Sequence, residues 1–363
     1  MEKPVAGVGR RTPLRVLIDI GHPAHVHFFR RPIEELRARG HDILVTSRRK
    51  EIATDLLDAL GLDHCTLSAE GGRGGMFGEL LLRDFRLSRM VRSWRPDVMA
   101  AIGGIFIAHA GVITRTRSLV FYDTENARLQ NLLTYPFATR VLVPRCYTAW
   151  TPKGRTLRYP GYHELSYLRP PFFSARPEIA FDNGVAADRP TYLVRLVSWK
   201  ANHDVGERGL SHAAVRAVVN RLDALGKVMI SSESALPQDL ARFRYAGRPE
   251  AIHHVMAQCA GFFGESATMA SECAVLGVPA VFAANTGRGY TDEQETRYGL
   301  VRNARCLDER TLNDAIDWLL AFPAGRGQVL RQELLRDTCD VGAFAVDAIE
   351  ARGDIASPLS QSA

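Results

Sequence analysis

Short β-branched runs alternate with helical patterns along most of the chain, and this alternation limits the possible folds more than any other feature. Arg15-Val-Leu-Ile-Asp-Ile20 reads as a buried strand, Gly21 as a turn, and Val26 to Arg39 as a helix ended by Gly40. A glycine just past the last turn takes the left-handed conformation at little cost. Strands follow at 43–46, 98–102, 118–121 and 140–143, with helices at 51–60, 79–94, 106–114 and 126–134 between them. Such repetition predicts a parallel sheet with helices on both faces. Between Thr151 and Pro190 the pattern stops, six prolines intervene, and the segment reads as a linker. Alternation then resumes, with strands at 191–197, 227–231, 261–263 and 280–283, and helices at 210–225, 251–259, 268–276, 309–320 and 342–351.

The 363 residues, 46% apolar and 24% charged, suffice for two globular cores. The expected organisation is a flexible tail over 1–13, one Rossmann-like domain over 14–175, a second over 186–351, and a flexible tail over 353–363. Cys65, Cys146, Cys259, Cys273, Cys306 and Cys339 form no Cys-x-x-Cys pair, so neither a zinc ribbon nor a disulfide framework is expected. The longest apolar stretch, Val98 to Ile113, contains Gly103, Gly104 and His109 and falls short of the roughly 20 residues of a membrane span. Lys3, Arg10 and Arg11 precede no apolar core of a signal peptide. These features predict a cytoplasmic protein.

Charge is uneven. Residues 1–180 hold 27 Lys and Arg against 17 Asp and Glu, whereas acidic residues prevail in the remainder. Arg83, Arg86, Arg89 and Arg92 recur every third residue beside Leu82, Phe85 and Trp94, a cationic stripe suited to anionic lipid at the inner membrane face. No nucleic-acid-binding motif accompanies the basic excess, so nucleic acid is not an expected partner.

Parallel sheets bind ligands beyond the carboxyl ends of their strands, and four such loops stand out. The first, Asp19-Ile-Gly-His-Pro-Ala-His-Val-His27, crowds His22, His25 and His27 at the exit of the first strand. Imidazole titrates near neutrality, which makes His25 a candidate acid-base group, although helix capping explains a histidine there equally well. In Tyr122-Asp-Thr-Glu-Asn126, Asp123 and Glu125 form a carboxylate pair for acid and base roles, or cap the next helix. Arg195-Leu-Val-Ser-Trp-Lys-Ala-Asn-His-Asp204 offers Lys200 and His203 to an anionic ligand. Gly264-Glu-Ser-Ala-Thr-Met-Ala-Ser-Glu272 combines a strand end, a small-residue turn and a helix start. There Gly264, Ser266, Ala267 and Thr268 let phosphate approach the helix amides, and Glu272 is placed for ribose hydroxyls. No metal site is expected from these spacings.

Several of these segments resemble known families. His253 to Asn303, with Glu272, Leu276-Gly-Val-Pro279 and Asn285-Thr-Gly-Arg288, is similar to the nucleotide-binding half of the non-hydrolysing UDP-N-acetylglucosamine 2-epimerases and their GT-B glycosyltransferase relatives. Ile18-Asp-Ile-Gly-His-Pro-Ala-His-Val-His-Phe-Phe29, Asp123-Thr-Glu125 with Asn131, and Gly264 to Glu272 resemble the prokaryotic family called domain of unknown function 354, classed as predicted glycosyltransferases. The resemblance covers about Leu14 to Gly353. It implies an α/β GT-B-like architecture in which two Rossmann-like domains face a central cleft and the second holds a nucleoside diphosphate. It further implies a nucleotide sugar, UDP-linked, as substrate rather than a resident cofactor, with a glycan or lipid-linked acceptor. By the same resemblance Ser266 and the next amides hold the diphosphate, Glu272 the ribose, and His203, Asp123 and Glu125 belong to the catalytic set. Lys200 or Arg288 would stabilise the departing diphosphate. The family's Ser-Gly-Gly is Ser266-Ala267-Thr268 here, and those side chains restrict how closely phosphate approaches. The implied activities are sugar transfer or, alternatively, 2-epimerisation or non-catalytic nucleotide-sugar binding.

Overall fold

The computed structural model describes residues 12–49, 53–69, 75–197 and 209–361. Most of the expected N-terminal tail lies outside these residues. In chain order the elements are β1 (Arg15–Ile20), α1 (Pro23–Ala38), β2 (Asp42–Arg49), α2 (Ala53–Ala59), β3 (His64–Ala69), α3 (Gly75–Trp94), β4 (Val98–Ile102), α4 (Ile105–Thr114), β5 (Arg117–Phe121), α5 (Arg128–Thr134), β6 (Arg140–Pro144) and β7 (Thr156–Tyr159). They continue with α6 (Leu165–Leu168), α7 (Pro177–Asp182), β8 (Thr191–Leu196), α8 (His212–Asp223), β9 (Lys227–Ser232), α9 (Ile252–Ala257), β10 (Gly261–Gly264) and α10 (Ala267–Leu276). The last are β11 (Ala280–Ala283), α11 (Gly289–Thr296), β12 (Val301–Ala304), α12 (Glu309–Leu320), α13 (Arg326–Arg336) and α14 (Val341–Glu350). No helix among the described residues is long and apolar enough to cross a membrane.

Contacts divide the chain into two compact units. The first comprises the chain up to Phe121 with Thr134–Arg140 and Ala345–Ile355, and the second Tyr122–Leu133, Val141–Phe344 and the chain from Ala356. In the first unit the strands run parallel in the order β3-β2-β1-β4-β5. β1 lies in the middle, with Val16 in register with both Ile43 and Val98. Being covered on both faces, it is an almost unbroken apolar run.

Asp19 is the exception within β1. It is buried, accepts from Arg83 Nη2 at 2.9 and 3.0 Å and from Thr46 Oγ1 at 2.7 Å, and the Arg83 guanidinium lies 4.2 Å from the Phe106 ring centre. Arg83 therefore leaves the cationic stripe that the sequence suggested. At 3.6 residues per turn, nine residues advance a helix by about 180° beyond whole turns, so Arg83 and Arg92 face opposite ways.

The segment Ala345–Ile355 belongs with the first unit, although the sequence placed most of it with the second half of the chain and its end in a free tail. Glu350 pairs with Arg39 Nη1 and His41 Nε2, each at 2.9 Å. Asp354 pairs with Arg117 at 2.7 Å, Arg352 with Asp97 at 3.0 Å, and Arg140 Nε donates to Gly353 O at 3.0 Å. Partners more than 200 residues apart leave no periodic trace in a sequence.

In the second unit a parallel sheet runs in the order β12-β11-β10-β8-β9. On one face Val215, Val218 and Leu222 of α8 and Ile316 and Leu319 of α12 pack over Phe263 and Val281. β6 and β7 also pair in parallel within this unit. The proline-rich stretch is no spacer: it contributes β7, α6 and α7, and Tyr159, Tyr162, Leu165 and Leu168 are fully or almost fully buried. Pro177 stands in the first turn of α7, where its missing N–H costs little.

Replacing Asp19 by Ala strands the buried Arg83 charge and is expected to lower stability by about 3–5 kcal/mol, the scale for breaking a buried ion pair. Urea denaturation checks this, and a midpoint unchanged from wild type would contradict the burial of the pair.

Candidate active site

The second unit gathers four carboxyl side chains. β5 ends at Phe121, and Tyr122 N then donates to Leu142 O at 3.0 Å, which holds the start of the Asp123-Thr124-Glu125 loop against β6. Asp123 Oδ2 lies 3.0 Å from His163 Nδ1, and Oδ1 accepts from Thr124 Oγ1 at 2.9 Å. Glu125 Oε1 accepts from the Gly289 amide at 3.1 Å, at the start of α11, while its buried Oε2 has no hydrogen-bond partner among the described residues. Burial first, and the nearby Asp123 charge after it, push the Glu125 carboxyl up to about 7. Gly289 permits this approach: a Cβ there would stand 2.5 Å from Glu125 Oε1 and 2.3 Å from Cys146 O.

Glu164 enters from the proline-rich segment, just before α6. It is buried and accepts from Ser271 Oγ at 2.9 Å, and Ser271 in turn accepts from Gln294 Nε2 at 2.7 Å. Burial, then the fields of Asp123 and Glu272, raise the Glu164 carboxyl to about 8. One turn further, Tyr167 OH donates to Glu272 Oε1 at 2.8 Å, and His253 Nε2 lies 2.8 Å from the same oxygen. Glu272 is thus buried on α10 between a phenol and an imidazole.

The first turn of α10 completes the arrangement. Ser266 Oγ caps the helix by accepting from Met269 N at 3.3 Å. The amides of Ala267 and Thr268 precede the first intrahelical donor and face outward from the helix end. Gly264 has a second reason to be glycine, since a Cβ there would meet Arg195 O of the adjacent β8 at 2.5 Å. Its neighbour Glu265 is buried and accepts from Val197 N at 2.9 Å and from Leu210 N at 2.6 Å. The segment between those two residues carries Lys200 and His203, and both lie outside the described residues. Arg288 is buried at the start of α11 and donates to Thr286 Oγ1 at 3.2 Å and Gly287 O at 3.0 Å.

Of the residues singled out from sequence, Asp123, Glu125, Gly264, Ser266, Ala267, Thr268, Glu272 and Arg288 all belong to the second unit. His25 belongs to the first unit, at the start of α1, where its Nδ1 accepts from Gly21 N at 3.3 Å. His22 takes the capping role, accepting from Ala24 N at 3.2 Å. His163, Glu164, Tyr167, His253 and Gly289 were missed. The first three hid in Tyr162-His-Glu-Leu-Ser-Tyr167, whose aromatic and ionisable side chains are uncommon in a solvated linker.

Comparison with known proteins adds a family and a fold. A family model described as protein of unknown function, DUF354, matches residues 14–288. The chain belongs to this family. An uncharacterised protein of Methanocaldococcus jannaschii is 20% identical over 287 residues, 74% of this chain and 81% of that protein. The UDP-GlcNAc 2-epimerase of Neisseria meningitidis, solved bound to UDP-GlcNAc, superposes with a TM-score of 0.66 at 11% identity, covering 93% of this chain and 99% of the other. A glycosyltransferase from a Streptomyces species gives a TM-score of 0.58 at 15% identity, with coverage of 93% and 99%. DUF354 here has the two parallel-sheet α/β domains of GT-B glycosyltransferases and these epimerases.

Because the folded Glu164 carboxyl holds its proton more tightly than an exposed one, its contribution to stability is complete below about pH 4.5 and is lost as pH rises through about 8. Glu164→Gln keeps the acceptor for Ser271 and removes the titration. The variant is expected to gain melting temperature relative to wild type between pH 6 and 9, measured by differential scanning fluorimetry; parallel curves would contradict the assignment.

Proposed function

We propose that this DUF354 protein is a GT-B-type glycosyltransferase that takes a nucleotide sugar, UDP-linked, as donor. One observation carries the reading: a Ser266-capped helix start stands six residues, under two turns, before a buried, positioned carboxylate, Glu272, in a fold shared with a protein solved holding UDP-GlcNAc. In this reading the α10 amides and the helix dipole receive the diphosphate, and Glu272 receives the ribose. Arg288 supplies positive charge as the leaving diphosphate develops, so the chemistry requires neither metal nor cofactor. Asp123, in contact with His163, removes the acceptor proton, and His25 is the second candidate for that task. Lys200 and His203 keep the anion-binding and catalytic roles read from sequence. The acceptor is a glycan or a lipid-linked sugar.

A second reading, non-hydrolysing 2-epimerisation, draws on a different observation. Glu125 and Glu164 are carboxyls that titrate near neutrality beside Asp123, which suits removal of a proton from one face of a sugar and its return to the other. Incubation with UDP-N-acetylglucosamine and no acceptor separates the readings. An epimerase interconverts the 2-epimers, whereas a transferase yields at most slow release of UDP.

Calorimetry with UDP tests the shared premise. Glu272→Gln is expected to weaken binding by about 1–3 kcal/mol, the scale of a hydrogen bond to a charged group. Asp123→Asn is expected to lower turnover at least about 100-fold with nearly unchanged UDP affinity. Absence of nucleoside diphosphate binding by the wild-type protein would end both readings.

A further inference from the structure

The outward face of α3 is amphipathic along its length rather than around it. Arg83, Leu87 and Val91 point inward and are buried. On the opposite side Leu81, Leu82 and Phe85 are 67%, 45% and 65% exposed. Exposed Arg86, Arg89 and Arg92 continue that side toward the helix end. Positions 82, 85, 86, 89 and 92 fall within one side of a helix of 3.6 residues per turn. An open groove of about 680 Å³ runs beside them, walled by Leu44, Leu67, Leu82, Phe85 and Met90 and bordered by Arg86 and Arg89.

Two features combine on this face. Large apolar side chains stand together in water, which marks a contact surface when they cluster. The arginines are also uncompensated, since Arg89 and Arg92 have no carboxylate partner among the described residues, and they stand next to the apolar cluster. Arg86 donates to Leu67 O at 2.6 Å, a bond that ties the helix to the edge strand β3 and keeps the guanidinium at the rim of the groove. A nucleic acid would engage the arginines and leave Leu81, Leu82 and Phe85 in water. A bilayer carrying anionic headgroups satisfies both halves, with phosphate at the arginines and acyl chain at the leucines and phenylalanine.

We propose that the exposed face of α3, through Leu81, Leu82, Phe85, Arg86, Arg89 and Arg92, docks the protein on an anionic phospholipid membrane. The contact is peripheral: a few side chains enter the interface, and the helix lies along it.

Sedimentation of the full-length protein with phosphatidylcholine vesicles, with and without 30% phosphatidylglycerol, tests the proposal at low and physiological salt. Binding is expected only to the anionic vesicles and is weaker at higher salt. Arg89→Gln/Arg92→Gln, which leaves the Arg86 bond intact, is expected to weaken it about 30-fold. Leu82→Ser/Phe85→Ser is expected to abolish binding at physiological salt while the melting temperature stays near that of wild type. Equal sedimentation with both vesicle types, or none with either, would overturn the proposal. Binding untouched by the Leu82/Phe85 pair would also overturn it, since that result marks simple adhesion of charge.

Discussion

Carboxyl groups brought together away from water repel one another, and each must either find a donor or keep its proton. The second unit is built around that constraint. Asp123 has His163, Glu272 has Tyr167 and His253, Glu125 takes the Gly289 amide, and Glu164 takes Ser271. Where the donors do not suffice, the proton stays, and Glu125 and Glu164 titrate near neutral pH. The helices that supply these donors are thereby fixed in place: α6 and α10 across Glu164 and Glu272, and α11 through Gly289 and Gln294. Disturbing one carboxyl therefore changes the proton affinity of the others, because their charges act on one another directly.

Coverage by neighbouring elements decides which parts of the fold are legible in the sequence. Central strands such as β1 and β10, covered on both faces, announce themselves as apolar runs. Two edge strands do not: β3, at one end of its sheet, reads His64-Cys-Thr-Leu-Ser-Ala69, and β12, at one end of the other, reads Val-Arg-Asn-Ala with Arg302 exposed. A strand solvated on one side carries half the apolar signal. The helix α11 escaped notice for a related reason. Its buried side chains include Thr291 and Gln294, so it faces a polar cluster and shows no apolar stripe.

At the site, Asp123, Glu125, Ser266 and Glu272 were legible because each follows a strand, where α/β proteins place ligands. His163 and Glu164 were not, since they lie in a segment whose prolines mask short elements. Gly264 shows a different limit. A glycine read as room for phosphate also makes room for the backbone of the adjacent strand, and sequence does not separate the two demands.

The return of Ala345–Ile355 to the first unit concerns the order of events during synthesis. A ribosome releases β1 to β5 long before Glu350, Arg352 and Asp354, the partners of His41, Asp97 and Arg117. Until they emerge, His41 just before β2, Asp97 just before β4 and Arg117 at the start of β5 lack these partners, which lie more than 230 residues later in the chain. The segment from α14 to Ile355 thus acts as a clasp on the strands made before it, and a ribosome that stalls short of it leaves β1 to β5 without these ion pairs.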